Sequence, residues 1–333
     1  MIIDSHAHVV MPDDIFKFMA ELVSSRANPP SRERYTITDE AALRSVTQGL
    51  VNSMDEVGTD IQFLSPRPYM MMHSIKPAKV GHMWTQAIND VIHRQCQMFP
   101  DRFRGVAGLP QYRDTSPENC RDELERCVKE LGFVGCLINP DPCEGDIAPP
   151  PGLGDRFWYP LYEKMVELGV PALIHSASCC NPRESYTLKF LNEESTAIIS
   201  LLESDVFTDF PDLKIVISHA GGAIPYHMGR FRAWNLRRKR PLDFDQMMRQ
   251  LYFDTCNYSK EALDFQFRTL GTDNCLFGTE RPGTGSVHNP VTGSTFDNLK
   301  PVIESIEWLT AEDRRKIFEL NAKKVYQRAF PAR

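Results

Sequence analysis

Two histidines flank a single residue in the opening run Met1-Ile2-Ile3-Asp4-Ser5-His6-Ala7-His8. An apolar, β-branched start of this kind predicts a short buried strand, and a strand period of two turns His6 and His8 to the same face. Two imidazoles so placed form a nitrogen pincer suited to zinc and its first-row neighbours. Three further groups close apolar runs downstream: His175 after Val170–Ile174, His219 after Ile215–Ser218, and Glu280 after Leu276–Thr279. Three imidazoles and a carboxylate can hold a divalent ion, leave room for water and bring that water's pKa toward about 7. Taken singly, each has a structural reading: His175 as a core imidazole, His219 as the start of a tight turn, Glu280 as a helix-end carboxylate or salt-bridge partner. Taken together at run ends, they predict one metal-centred site.

Groups so far apart in the chain meet only if a scaffold gathers the ends of parallel strands. Eight short apolar runs recur, at 2–5, 60–64, 103–108, 134–139, 171–175, 214–218, 251–254 and 275–278, with helical patterns between them. Cys120, Leu124, Cys127, Val128 and Leu131 share one helical face after a Ser116-Pro117 start. Phe157, Leu161, Met165 and Leu168 repeat the pattern up to Gly169. Alternation of this kind predicts an α/β fold, and eight units predict closure into a single distorted (β/α)8 barrel over 1–333, whose strand ends converge on one mouth. The segment from Val9 to Gly58 is too long for one connection and predicts extra helices, with a loop at Asn28-Pro29-Pro30-Ser31. The proline-rich stretch from Asp141 to Asp155 predicts an irregular insertion. A final helix starts at Thr310, where Thr310-Ala311-Glu312-Asp313 reads as a capping box.

Composition narrows the partners. A net charge of −6 gives no footprint for nucleic acid, and Arg237-Arg238-Lys239-Arg240 reads as a solvated helix end. No apolar run reaches a membrane-spanning length and the N-terminus carries no signal-like region, so the expected location is the cytoplasm. Nine cysteines without a CxxC pair predict reduced thiols, with Cys179 and Cys180 as small packing residues. His73, His82, His93, His227 and His288 lack strand-end placement and are expected in packing or surface roles.

The chain resembles the amidohydrolase superfamily, in the amidohydrolase-2 branch that includes aminocarboxymuconate semialdehyde decarboxylases. The motifs that carry this are Asp4-Ser5-His6-Ala7-His8, Leu173-Ile174-His175, Ser218-His219-Ala220-Gly221-Gly222 and Leu276-Phe277-Gly278-Thr279-Glu280. Two departures refine it. The fourth run ends in Ile138-Asn139-Pro140 instead of a bridging lysine or glutamate, which implies one metal, and Glu280 stands where many relatives have aspartate. The glutamate is similar to that of carbon–carbon hydrolases of meta-cleavage products and of 4-oxalomesaconate hydratases. Ser65-Pro66-Arg67, Leu109-Pro110-Gln111, Asn139-Pro140-Asp141-Pro142, Asp155–Pro160 and Ala223-Ile224-Pro225-Tyr226 extend that similarity.

The resemblance implies metal ligation by His6, His8, His175 and Glu280, with His219 as acid/base group or extra ligand and Glu280 as ligand, proton carrier or both. Zinc is the expected ion, with manganese and iron open. Asp254, closing the seventh run, fits either an imidazole-orienting carboxylate or a turn residue. Substrates with several carboxylates call for arginine forks, so Arg67, and Arg183 with Tyr186 and Asn192, are candidate contacts on active-site loops. The expected function is carbon–carbon hydrolysis of an unsaturated carboxylated ring-cleavage product, by a homo-oligomeric enzyme without nucleic-acid or membrane partners. The alternative is a hydratase or decarboxylase of related acids, and the remote one a non-catalytic, metal-containing scaffold.

Overall fold

The computed structural model describes residues 1–29, 37, 39–112, 115–142, 149–177, 181, 183–239 and 242–331. Seven strands form one parallel sheet in sequential order: β1 (Ile3–His8), β2 (Ile61–Ser65), β3 (Phe103–Ala107), β4 (Gly135–Ile138), β5 (Ala172–Ile174), β6 (Ile215–Ile217) and β7 (Tyr252–Phe253). The sheet curls as a TIM-type barrel does, and helices separate most successive strands. Each strand fits one of the predicted apolar runs.

The eighth run is present but does not form a full strand. Leu276 N–H donates to Phe253 O at 2.8 Å on one side, and Ser5 N–H donates to Phe277 O at 2.9 Å on the other. The run therefore bridges β7 to β1. Its ladder is broken because Phe277 N–H turns away to Ile317 O (2.9 Å) in the π-helical turn Lys316–Leu320. Gly278 then threads between side chains: a Cβ there would lie 2.9 Å from Asp254 Cβ and 3.0 Å from His6 Cβ. Only glycine lets the run pass so close to both.

One apolar cluster gathers a residue from almost every strand: Ile3, Phe63, Val106, Leu137, Leu173 and Val216, with Leu276 from the eighth run. Val325 and Tyr326 of the C-terminal segment pack on it, which fills the barrel at the end away from the histidines. In β1 the pairing with β2 shifts between Asp4 and Ala7. An irregularity of this kind re-aims the following side chains, here His6 and His8.

The Val9–Gly58 segment carries α1 (Asp14–Ser24) and α2 (Glu40–Val57). Asp39 caps α2 by accepting from Ala42 N–H at 2.8 Å, and Gly58 ends it in the left-handed conformation, φ 72°. Then α3 (Ala78–Met98) follows β2, and α4 (Arg121–Lys129) buries Leu124, Cys127 and Val128 as the helical face requires. α5 (Tyr159–Leu168) stops at Gly169, φ 62°. The Thr310 capping box forms with Asp313. Within the Asp141–Asp155 insertion the described ends, 141–142 and 149–155, hold no helix or strand, as its prolines suggest. Pro30, Ser31, Cys179, Cys180 and Arg240 lie outside the described residues.

Candidate active site

Four imidazoles meet at the mouth where the strands end. His6, His8, His175 and Glu280 are buried, and one donor atom from each lies within 4.8 Å of the others. The Glu280 Oε1 atom stands 3.9 Å from His8 Nε2, 3.7 Å from His175 Nε2 and 3.4 Å from His219 Nε2.

The opposite ring nitrogen of every histidine is anchored. His175 Nδ1 lies 2.7 Å from Ser176 O, and a carbonyl only accepts, so Nδ1 carries the proton. His6 Nδ1 donates to Asp254 Oδ2 at 2.6 Å, while Asp254 Oδ1 accepts from Ala220 N–H and Cys256 N–H at 2.9 and 3.1 Å. His8 Nδ1 is 3.1 Å from Ser65 Oγ; the Ser65 hydroxyl already donates to Ala7 O, so its oxygen is left to accept from the ring. His219 Nδ1 is gripped by both oxygens of buried Glu194 from α6 (Tyr186–Leu202), at 2.8 and 2.9 Å. Each ring thus turns its Nε2 toward the centre. Tyr258 hydroxyl holds the far oxygen of Glu280, Oε2, at 2.8 Å, and Cys256 thiol donates to that hydroxyl at 3.0 Å.

Electrostatics follows from burial and pairing. Burial pulls His8 down to about 3 and His175 below the usual histidine range, so both rings stay neutral. Burial opposes ionisation of Glu280, but the imidazoles of His175, His219 and His8 outweigh it and hold the carboxyl well below its usual range. Asp254 is also lowered, burial being overcome by His6. His219 goes the other way: burial disfavours its charge, yet Glu194 and Glu280 raise it well above an ordinary histidine.

Among the described residues, His6 Nε2 and His175 Nε2 are buried without a hydrogen-bond partner. Two orphaned imidazole nitrogens in one buried cluster with a carboxylate are costly in a bare protein and suit a divalent cation. The donor set of three imidazoles and one carboxylate is chemically that of a zinc- or manganese-class site. His219, Ala220 and Glu280 adopt left-handed backbone, φ 48°, 56° and 60°. Such strain, of order 1–3 kcal/mol per residue, clusters where geometry is set by function.

A cleft of about 310 Å³ opens above the centre, with His8, His175 and Glu280 in its lining. Arg67, Tyr69, Tyr186, Phe190 and Ser286 line it as well. Arg67 Nη2 donates to Pro282 O at 3.1 Å, which fixes the guanidinium across the cleft from β2 to the eighth-run loop. The structure therefore brings Arg67 and Tyr186 to the cleft. Arg183 and Asn192 are elsewhere: Arg183 is exposed on the loop before α6, and Asn192 Nδ2 is spent on Glu184 Oε1 at 3.0 Å. Sequence reading missed Glu194, Ser65, Tyr258, Tyr69 and Phe190. Glu194 alone had a usable signal, a carboxylate in the helix after the His175 strand.

A barrel of parallel strands with histidines and a carboxylate at its mouth defines the class. The chain belongs to the amidohydrolase family, whose model matches residues 3–328, and it is an enzyme of the hydrolase or lyase type that this family comprises. It is 38% identical over 331 residues to 2-keto-4-carboxy-3-hexenedioate hydratase of Sphingobium sp. (strain SYK-6), covering 98% of this chain and 96% of the relative. The crystal structure of 4-oxalomesaconate hydratase from Rhodopseudomonas palustris superposes with a TM-score of 0.87 at 37% identity, covering 98% and 96% of the two chains. Dihydroxybenzoic acid decarboxylase from Polaromonas sp. JS666, solved with manganese and 2-nitroresorcinol, gives 0.72 at 25% identity, covering 98% and 96%. These relatives favour the lyase alternative over the carbon–carbon hydrolase reading. Among the described residues no helix is long and apolar enough to cross a membrane.

Proposed function

We propose that this protein is a metal-dependent hydratase that adds water across an activated carbon–carbon double bond of an unsaturated, polycarboxylated acid derived from aromatic ring cleavage. The observation that carries it is the likeness, over almost the whole of each chain, to two hydratases. The anchored donor set at the barrel mouth supports the same reading. His6, His8, His175 and Glu280 would hold the ion, and manganese is as good a candidate as zinc given the bound ion of the decarboxylase.

When bound, the metal would supply Lewis acidity and lower the pKa of water in its reach. The chain's own groups do the rest. His219 Nε2 stands 3.4 Å from Glu280 Oε1, so the two sides of a hydration, proton removal from water and proton delivery to carbon, have two carriers within one hydrogen-bond step. Glu194 fixes the Nδ1–H edge of His219 and points Nε2 into the site. Tyr258 keeps Glu280 Oε2 occupied and directs Oε1 to the imidazoles. Arg67 presents a planar fork for a carboxylate of the substrate, and Tyr69, Tyr186 and Phe190 form an aromatic wall for a conjugated chain.

Product mass decides between the chemistries. Metal-loaded protein incubated with a panel of unsaturated ring-cleavage acids is expected to yield one product heavier by one water. Two fragments would restore the hydrolase reading, and carbon dioxide release would establish the decarboxylase.

Arg67 gives a second expectation. Arg67→Lys keeps the charge and loses the fork, so KM should rise by about tenfold with a smaller fall in kcat, at unchanged metal content. Steady-state kinetics on the identified substrate checks this, and an unchanged kcat/KM in both Arg67→Lys and Arg67→Ala would take Arg67 out of substrate binding.

A further inference from the structure

We propose that His219, Cys256 and Glu280 form a second cation site, selective for thiophilic ions of the zinc and cadmium class, whose filling silences the enzyme. It rests on the reading that the neighbouring His6, His8, His175 and Glu280 hold the resident metal.

One donor atom from each of His219, Cys256 and Glu280 lies within 4.8 Å of the others. His219 Nε2 faces Glu280 Oε1 at 3.4 Å, and Cys256 Sγ is 4.0 Å from Glu280 Oε2. Cys256 is 5% exposed and Glu280 7% exposed, so an ion drawn in would shed most of its water in exchange for nitrogen, sulfur and oxygen donors. Around a zinc-class ion such donors stand about 3.3–3.6 Å apart, so the set has to draw in by up to about an ångström, chiefly through the Cys256 and Glu280 side chains. His219 needs no rotation, since Glu194 already holds Nδ1 and points Nε2 at the site, where loss of its proton makes it the donor.

Charge permits a second ion. Asp254, Glu194 and Glu280 are the carboxylates that pair with the four imidazoles. Beside a charged His219, one divalent ion leaves that centre neutral. A second ion enters with release of two protons to solvent, one from the Cys256 thiol and one from His219 Nε2, and keeps it neutral. Ion softness follows from the donors: thiolate selects zinc and cadmium and discriminates against manganese and magnesium. Occupancy silences turnover because it takes His219 Nε2 and a Glu280 oxygen, the two proton carriers of the proposed reaction.

The test is metal titration of the full chain, first emptied with a chelator. Zinc measured by equilibrium dialysis is expected to bind as two equivalents, the first supporting activity and the second, weaker one abolishing it. Manganese is expected to stop at one. With cobalt or cadmium, the ultraviolet thiolate-to-metal band should appear only as the second equivalent enters. Cys256→Ala and Cys256→Ser should keep the first equivalent, lose the band, and raise the zinc concentration needed for inhibition, relative to each variant's own uninhibited rate, by at least about tenfold. Serine retains the hydrogen bond to Tyr258, so it controls for packing damage in the alanine variant. A single equivalent of zinc, or a second equivalent untouched by both Cys256 variants, overturns the second site while leaving the hydratase reading intact. Failure of the first equivalent to bind overturns both.

Discussion

His6→Ala and His175→Ala are each expected to lose metal and activity together, with affinity falling by more than about 100-fold. The reasoning is comparative: removing an outer partner of a metal ligand alone costs about 10–100-fold, and these substitutions remove the ligand itself. Both rings are buried with Nε2 unpartnered, so alanine also empties part of the cavity floor, and far-ultraviolet circular dichroism is needed to show that the barrel survives. Asp254→Asn is the graded companion. Asparagine keeps the shape but replaces a carboxylate that takes His6 Nδ1–H and two backbone amides, so affinity should fall by about 10–100-fold with the fold retained. His93→Ala is the control, because His93 Nδ1 donates to Leu131 O in the helical layer. Elemental analysis after gentle chelation and reloading reads all four. Full metal retention in both ligand variants would remove the assignment.

The residues that meet at the centre were legible because their positions carry a period. His6 and His8 alternate on a strand, and His175, His219 and Glu280 each close an apolar run, so a parallel barrel puts them at one mouth without further information. Seven strands were legible for the same reason. The eighth was legible as an apolar run but not as an interrupted one, since the loss of its ladder depends on Ile317 O in a turn some 40 residues later in the chain. Asp254 remained ambiguous in sequence because a strand-end aspartate serves a turn or an imidazole equally well. The structure shows it doing both, taking the backbone amides of Ala220 and Cys256 with one oxygen and His6 with the other.

What holds the site in place was mostly illegible. Ser65, Glu194 and Tyr258 come from three different elements, and their types are common in surface positions; only three-dimensional pairing marks them. Arg183 and Asn192 were attractive because they follow the His175 strand closely. Proximity along the chain said nothing about direction, and on α6 Asn192 pairs with Glu184 and is not among the residues lining the cleft. Hydration and hydrolysis share the same water-activating donors, so the choice between them lay in similarity over the whole chain and not in the motifs.

The second large effect concerns His219. His219→Asn should lower kcat by about 100- to 10,000-fold, the usual span for loss of a positioned acid/base group, while the four-donor set keeps its metal. Glu194→Gln separates charge from geometry, since the amide oxygen can still accept from Nδ1 but no longer stabilises an imidazolium. In the wild type, burial acts against the charged ring, but Glu194 and Glu280 raise His219 well above an ordinary histidine. Removing the Glu194 charge therefore lets the ring titrate at lower pH. If His219 works as a base, the rising acid limb of the pH–rate profile moves to lower pH; if it works as an acid, the falling basic limb does. The sign is the same in both cases, so the variant tests whether His219 moves a proton at all, and the limb that shifts identifies its role. A His219→Asn enzyme with wild-type kcat, or a Glu194→Gln profile that does not move, would leave Glu280 as the only proton carrier at the centre.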